Sequence, residues 1–438
     1  MQFLFRLILI VFSMTANKTF YFEDVGEVTA YFYNAEYSIN SFHDIKKIAY
    51  SIRKQLTSKS QDIYLHFVKN SLDRTGYLFI TERDSRYKHP AWLGIRTYGR
   101  PVTDKEIDEI IYKNKTFKAI KNSITNNEEH KKTKKAIEEL LNKSQDTLSE
   151  SKIRTVLWSL FAKFLDISGY TNDIDNAFEI AQKLTNDLQC YDDVDYPLLK
   201  EIMTIYQDKH FTLHDSLVVF MDYGISPSFI ADMLEYLLNY DSKKRKSTGS
   251  YYTPVEIVEF MCEMSFSQYV ATHTSLSEAE GDAMMHDLNI SEVVPLERRA
   301  EVLKCLWNIR TLDPACGGGA FNIGIVNRFM HLYYNIDNDL SIAKSLGCEN
   351  TFDVKKHIIN TNIYGIDINP LAVTATRMRL FLSLLSEATA DDYEKIDEEV
   401  LEVLKHHIVC ADALLDDPFG CLQNRQNQPD LFHLPNNT

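Results

Sequence analysis

Residues 308–334, NIRTLDPACGGGAFNIGIVNRFMHLYY, decide the fold. A short apolar strand over 309–312 runs into Asp313, Pro314, Ala315 and Cys316, and three glycines follow, Gly317, Gly318 and Gly319. Phe321, Ile325 and Phe329 then recur at helical spacing. Strand, tight glycine turn and helix together form the opening unit of a doubly wound α/β sheet, whose ligands sit at the carboxyl ends of the strands. Glycine suits the turn because the backbone there takes unusual φ values and comes close to a ligand with no Cβ in the way. Asp313 ends the strand, where a carboxylate can meet a cationic or hydroxylated ligand. The spacing is neither the dinucleotide GxGxxG nor the phosphate loop GxxxxGK[ST], since no Lys-Ser/Thr follows. A bare three-glycine run also serves as a plain tight turn, so the stretch needs corroboration.

Two later stretches supply it. In IYGIDINPLAVTATRMRLFLSLL (363–385) a strand over 363–366 runs into Asp367, and Asn369-Pro370 opens a helix with Leu371, Ala375, Met378 and Leu382 on one stripe. A carboxylate ending the second strand is placed to accept both hydroxyl protons of a ribose. The gap from Asp313 to Asp367 exceeds the usual unit and implies an insertion over about 335–360. In HHIVCADALL (406–415) a third short strand over 408–410 precedes Asp412 and Ala413, and a carboxylate there can accept from an adenine amino group. Ala-Asp-Ala is common; its place after the other two gives it value.

Further from the glycine loop the chain reads as several regions. Residues 1–14, MQFLFRLILIVFSM, resemble a weak leader or an over-called start: the apolar run is too short to span a membrane and lacks a small-x-small cleavage site. Residues 15–102 carry aromatic and β-branched runs that read as strands, with FHDIKKIAYSIRKQL (42–56) at helical spacing, and so predict a small mixed α/β domain. Residues 103–240 read as a helical bundle; its basic run KKTKK (131–135) is expected to be a solvated helix face. DSKKRKSTG (241–249) marks a boundary, and 241–438 holds the glycine loop. Within it, 275–294 reads as a polar insertion.

Composition narrows the class. Across 438 residues, 45% are hydrophobic and 25% charged, ordinary for a globular protein. The formal net charge of −15 counts against a broadly basic DNA-binding face, so positive charge would have to be confined to patches or to regions outside these residues. The seven cysteines form no CxxC pair, which speaks against a zinc ribbon or disulfide framework and suits a reducing cytoplasm. A cytoplasmic location is therefore expected.

Four stretches closely resemble DNA methyltransferases that modify the exocyclic amine of adenine, of the type IIG and type I restriction–modification class. TGSYYTPVEIVEFM (248–261) looks like the motif that closes over the cofactor methionine, DPACGGGAF (313–321) like motif I, YGIDINPLAV (364–373) like motif II, and CADAL (410–414) like motif III. The resemblance covers about 241–415. It implies a partial Rossmann-like methyltransferase fold, here its first three strands, preceded by the helical region and the small mixed α/β domain. It implies S-adenosyl-L-methionine as cofactor, held by Tyr251, Tyr252, Thr253, Pro254, Asp313, Ala315, Cys316, Gly317, Gly319, Phe321, Asp367, Ile368, Asp412 and Ala413, with no metal. The tyrosines have a physical reading too: an aromatic face beside a cationic sulfonium is favourable by roughly 0.5–2 kcal/mol. Packing of a tyrosine pair in the core is the plainer alternative.

The resemblance also shows what these residues lack. In that family an Asn/Asp-Pro-Pro-Tyr/Phe motif ends strand four and binds a flipped-out adenine. After Leu415 the sequence reads DDPFGCLQNRQNQPDLFHLPNNT, with no Pro-Pro-Tyr. No catalytic residue is therefore expected here. By itself the chain is expected to bind cofactor weakly if at all and not to methylate DNA, with DNA contact and the remaining strands supplied by further polypeptide or by a second chain. A non-catalytic cofactor-binding or interaction subunit is the competing reading, and a methyltransferase acting on RNA or protein a third, against which the Tyr-Thr-Pro motif speaks. Glu129-His130-Lys131 has the letters of the nuclease signature Glu-x-Lys but lies in a solvated charge run.

Overall fold

The computed structural model describes residues 12–22, 26–35, 63–69, 75–83, 95–103, 128–143, 148–185, 194–213, 224–239, 253, 255–286, 294–337, 341–396, 398–416 and 418–419. The architecture is mixed α/β and mostly helical, with a five-stranded sheet early in the chain and a small parallel sheet late in it.

The first sheet contains β1 (Phe12–Phe22), β2 (Gly26–Ala35), β3 (Ile63–Lys69), β4 (Thr75–Arg83) and β5 (Ile95–Thr103) in sequential order. The β2–β3 pair is parallel and the others are antiparallel. Val28 and Ala30, Leu65 and Phe67, and Leu78 and Ile80 are buried at alternate positions, the period-two pattern of a sheet face turned inward. Phe32 stacks on its register partner Phe67 with ring centroids 5.0 Å apart. β1 begins at Phe12, inside the stretch read as a leader, and the sequence reading had not singled out β5. The helix expected over 42–56 lies outside the described residues.

The helices before the second sheet are α1 (Glu128–Lys143), α2 (Glu150–Ser168), α3 (Ile174–Leu184), α4 (Tyr196–Tyr206) and α5 (Ser228–Asn239). α1 buries Ile137 and Leu141 and exposes Lys131, Lys132 and Lys135, the solvated face that the pattern predicted. It also places Glu129-His130-Lys131 on a helix and not on a strand. α2 starts where the Ser149 hydroxyl accepts from the Lys152 amide (3.3 Å) and stops at Gly169, whose φ of +76° ends the helix in the left-handed region. The Asp195 carboxylate caps α4 (3.0 Å to the Leu198 amide).

α6 (Val255–His273), α7 (Glu278–His286) and α8 (Leu296–Asn308) lead to the second sheet. The reading of 275–294 as a polar insertion is corrected here. Glu278–His286 of this span form the helix α7, and Leu276, Met284, Met285 and Val294 are buried in the core. Four well-placed apolar side chains suffice to dock it, although its acidic first turn makes the average composition polar.

The second sheet contains β6 (Thr311–Asp313), β7 (Ile363–Asp367) and β8 (Ile408–Cys410), all parallel, with β7 central. α9 (Ala320–Ile336), α10 (Ser341–Ser345) and α11 (Thr351–Thr361) fill the long β6–β7 connection. α12 (Pro370–Leu385) and α13 (Glu398–His407) join β7 to β8. The span expected as an insertion thus holds two helices, and α11 packs on α9, α12 and β7.

One cluster of buried side chains runs from Ile137 to Ile408, so the helices before residue 240 share a core with the parallel sheet. α12 lies at its centre. Every residue from Ala372 to Leu385 is buried, against α2, α3 and α5 on one side and α9, α11, α13, β7 and β8 on others. Burying a single Phe381 or Leu382 side chain there contributes about 1.5–3 kcal/mol. No described helix is long and apolar enough to cross a membrane.

Two half-buried histidines beside this core give the fold a pH dependence. His357 stacks on Trp307 (ring centroids 3.6 Å apart) and His407 on Tyr364 (4.1 Å). Burial lowers both pKa values from the ordinary histidine value, because it disfavours the charged ring. A folded pKa below the unfolded one means that the unfolded chain binds more protons, so this contribution is complete above the ordinary value of about 6.5 and is lost as pH falls through and below it. The midpoint of thermal unfolding is therefore expected to fall between pH 7.5 and 5.5, and a His357→Phe/His407→Phe variant to lose part of that slope. An unchanged slope would show that other groups carry it.

Candidate functional site

The site is built at the carboxyl ends of β6 and β7. The register pairs Asp313 with Gly365, so Asp367 reaches two residues beyond Asp313 along the same sheet edge. The Cys316 amide donates to the Ile366 carbonyl (2.9 Å), which folds the residues after β6 across the end of β7. The Gly319 amide then donates to the Cys316 carbonyl (2.8 Å), closing the glycine turn. Gly317 has φ +53° and Gly319 φ +79°, conformations that side-chain-bearing residues avoid. A Cβ on Gly319 would also lie 2.9 Å from Thr376, whereas one on Gly317 would meet nothing within 4 Å. Gly319 is thus required by packing, while Gly317 presents bare backbone to open space. Gly319→Ala is expected to cost at least about 1–2 kcal/mol in denaturant unfolding, from the left-handed backbone alone; an unchanged midpoint would contradict this geometry.

The central contact joins the two expected halves. The Gly317 amide donates to one oxygen of Asp367 (Oδ2, 2.8 Å), and the Asn369 amide donates to the other (Oδ1, 2.8 Å). Asn369 also caps α12, its side chain accepting from the Leu371 amide (2.9 Å). Both oxygens of Asp367 are thus oriented by backbone donors before any ligand arrives.

Asp313 differs. Its Oδ1 accepts from the Ala315 amide (3.1 Å), and its buried Oδ2 has no hydrogen-bond partner among the described residues. Burial raises its carboxyl pKa above the ordinary value, and the charge of Asp367 adds to that rise. A buried carboxylate oxygen without a partner is costly and calls for a donor or cation beside it. Cys316 is buried under the loop, and burial raises its thiol pKa, so it packs as a small apolar group and not as a nucleophile.

Asp412 follows β8 and is joined to the site through the Ala411 amide, which donates to the Asp367 carbonyl (3.0 Å). Its Oδ1 accepts from the Leu414 amide (2.9 Å), forming the turn after the strand. Phe321 is half-buried on α9, Ala413 is exposed, and Ile368 is 72% exposed beside Asp367, an apolar surface facing out at the strand ends. Asp313, Ala315, Cys316, Gly317, Gly319, Asp367 and Ile368 are thereby brought together, with Phe321 opening the helix that follows and Asp412 and Ala413 alongside. Tyr251, Tyr252 and Pro254 lie outside the described residues; Thr253 is half-buried. The helix that follows them, α6, runs close to the loop: Cys262 feels the charge of Asp313, and the Glu263 carboxylate pairs with Arg328 of α9 in the core.

The sequence reading missed the polar residues of α12. The Thr376 hydroxyl donates to the Gly317 carbonyl (2.8 Å), and Arg379 donates to the Gly318 carbonyl. Arg377 donates to the carbonyls of Leu184 (2.7 Å), Lys405 (3.0 Å) and Ile408. The available signal was Thr-Arg-Met-Arg inside a helix otherwise apolar on all sides, where polar side chains have no solvent to reach.

No family model matches the chain. Two curated relatives do. A protein of Methanocaldococcus jannaschii, provisionally named a type II restriction enzyme and methyltransferase, is 24% identical over 259 residues, covering 56% of this chain and 20% of the relative. A type II restriction enzyme and methyltransferase of Escherichia coli is 32% identical over 138 residues, covering 30% of this chain and 13% of the relative. The chain spans a fifth or less of the length of both. Its homologues are thus combined restriction enzymes and methyltransferases of restriction–modification systems.

Proposed function

We propose that this chain is the cofactor-binding part of a DNA methyltransferase of a restriction–modification system, acting on the exocyclic amine of adenine, with S-adenosyl-L-methionine as methyl donor. The observation that carries the reading is the Gly317–Asp367 contact, which couples an open glycine backbone to a carboxylate whose two oxygens are already oriented. The residues fit the adenosyl group and its charge. Asp367 would accept from the ribose hydroxyls, Ile368 offers an apolar face to the base, and Asp412 lies beside it. Asp313, with its unpartnered oxygen, would meet the cationic methionine end. The Tyr251-Tyr252-Thr253-Pro254 stretch is assigned to the same end by its resemblance to the family motif. When bound, the cofactor supplies an electrophilic methyl group on a sulfonium. These residues bind and orient it, and orientation is a large part of a two-substrate transfer. The Rossmann-like assignment of the three parallel strands belongs to this proposal, as does a cytoplasmic location.

The 438 residues contain no Asn-Pro-Pro-Tyr stretch, so target adenine and DNA are assigned to polypeptide beyond them. Two surfaces suit such an addition. β6 pairs with β7 along one edge, and among the described residues no strand pairs with its other edge. α6 exposes Ile257, Met261 and Met264 on one stripe, opposite the buried Val258, Cys262 and Phe266, and a helix apolar on two faces belongs inside a protein.

Ligand-observed NMR, which detects weak binding, tests the cofactor assignment. S-adenosyl-L-methionine is expected to bind saturably, to be displaced by S-adenosylhomocysteine and to resist displacement by NAD or ATP. Absence of binding would overturn the proposal. The competing reading, a non-catalytic cofactor-binding subunit, is favoured by the missing Asn-Pro-Pro-Tyr stretch. The two separate on addition of polypeptide that carries such a motif: methyl transfer to adenine in DNA supports the methyltransferase, and binding without transfer supports the subunit.

A further inference from the structure

We infer that α12 is the jig that sets the glycine loop, with Thr376 and Arg379 as positioning residues for cofactor capture. The inference rests on the cofactor reading of that loop and adds residues that neither the family motifs nor the relatives assign.

Gly317 is held on both sides. Its amide is taken by Asp367, and its carbonyl accepts from Thr376 (2.8 Å). The next carbonyl, of Gly318, accepts from Arg379. A peptide unit is planar and trans, so a carbonyl drawn towards α12 turns the amide of the following residue the opposite way. The Thr376 hydroxyl therefore sets not only the Gly317 carbonyl but also the direction of the Gly318 amide. Three consecutive glycines have no side chains to define one loop shape, and fixing each residue's backbone costs roughly 1–2 kcal/mol of entropy. The restraint comes from outside, from two side chains one turn apart on a helix that is buried from Ala372 to Leu385. Thr376 is fully buried and Arg379 is 5% exposed, so neither has solvent as a competing partner.

The same helix begins at Asn369, whose amide orients Asp367, and carries Arg377, which holds the Ile408 carbonyl on β8. One rigid element thus sets the glycine loop, the ribose carboxylate and the third strand together. Such support around a binding constellation keeps it within the small tolerance that binding needs.

The test uses the full chain with Thr376→Val, nearly isosteric but without the hydroxyl, Thr376→Ser, which restores it, and Arg379→Lys as a second probe that keeps the charge. Two readouts are taken: affinity for S-adenosylhomocysteine, and hydrogen–deuterium exchange of the peptide covering 313–321. Thr376→Val is expected to weaken binding roughly tenfold and to speed exchange in that peptide, with peptides from α2 unchanged. Thr376→Ser is expected to recover both, which a merely space-filling threonine would not require, since valine fills the space better. Unchanged affinity and unchanged loop exchange in Thr376→Val would overturn the inference. If the unsubstituted chain fails to bind S-adenosylhomocysteine, the cofactor reading falls, and with it the role in cofactor capture, while loop exchange alone decides whether α12 still sets the loop.

Discussion

Asp367→Asn is expected to lower affinity for S-adenosylhomocysteine on the order of 100-fold, the largest binding effect of any single substitution in the site. The carboxylate accepts from two backbone amides, of Gly317 and Asn369, one on each oxygen. Asparagine has one acceptor oxygen and one donor nitrogen, so one of those amides would face another donor. Either the loop moves from the end of β7 or the side chain rotates away from the position proposed for the ribose. Hydrogen bonds to a charged group are each worth about 1.5–3 kcal/mol, and loss of one such contact reaches this magnitude. Competition binding monitored by ligand-observed NMR, with circular dichroism to confirm folding, checks the result. An Asp367→Asn variant that binds as well as the unsubstituted chain would mean that the carboxylate only closes the turn.

The largest stability effect is expected at Arg377. Arg377 is 1% exposed, and its guanidinium donates to the carbonyls of Leu184, Lys405 and Ile408, which come from the end of α3, the end of α13 and β8. Burial pushes its pKa down to about 10, because the charge is held away from water. Arg377→Met keeps the length and the apolar stem but removes all the donors, leaving buried carbonyls without partners. A hydrogen bond from a charged donor is worth about 1.5–3 kcal/mol, so losing those of Arg377 is expected to cost about 3–5 kcal/mol. Denaturant unfolding should show a loss of that size, with faster exchange around residues 405–412. A loss below about 1 kcal/mol would show that Arg377 does not hold the helical region to the sheet.

Local sequence determined the parts of this protein whose signal is local. Glycines that need positive φ, carboxylates at strand ends and apolar strands of three to five residues are properties of short stretches. Asp313, Gly317, Gly319, Asp367 and Asp412 could therefore be placed at one sheet edge before any coordinates. The span β8 (Ile408–Cys410) was legible to the residue. Only the tertiary structure decided the rest, because it depends on what lies around each element. Leu371, Ala375, Met378 and Leu382 suggested a helix with one buried stripe, yet α12 is buried on every side. Once solvent is excluded, Thr376, Arg377 and Arg379 have to find backbone carbonyls, and those carbonyls belong to the glycine loop, α3 and β8. A one-dimensional pattern shows that a polar residue interrupts an apolar run. Which distant carbonyl satisfies it is settled only when the chain packs.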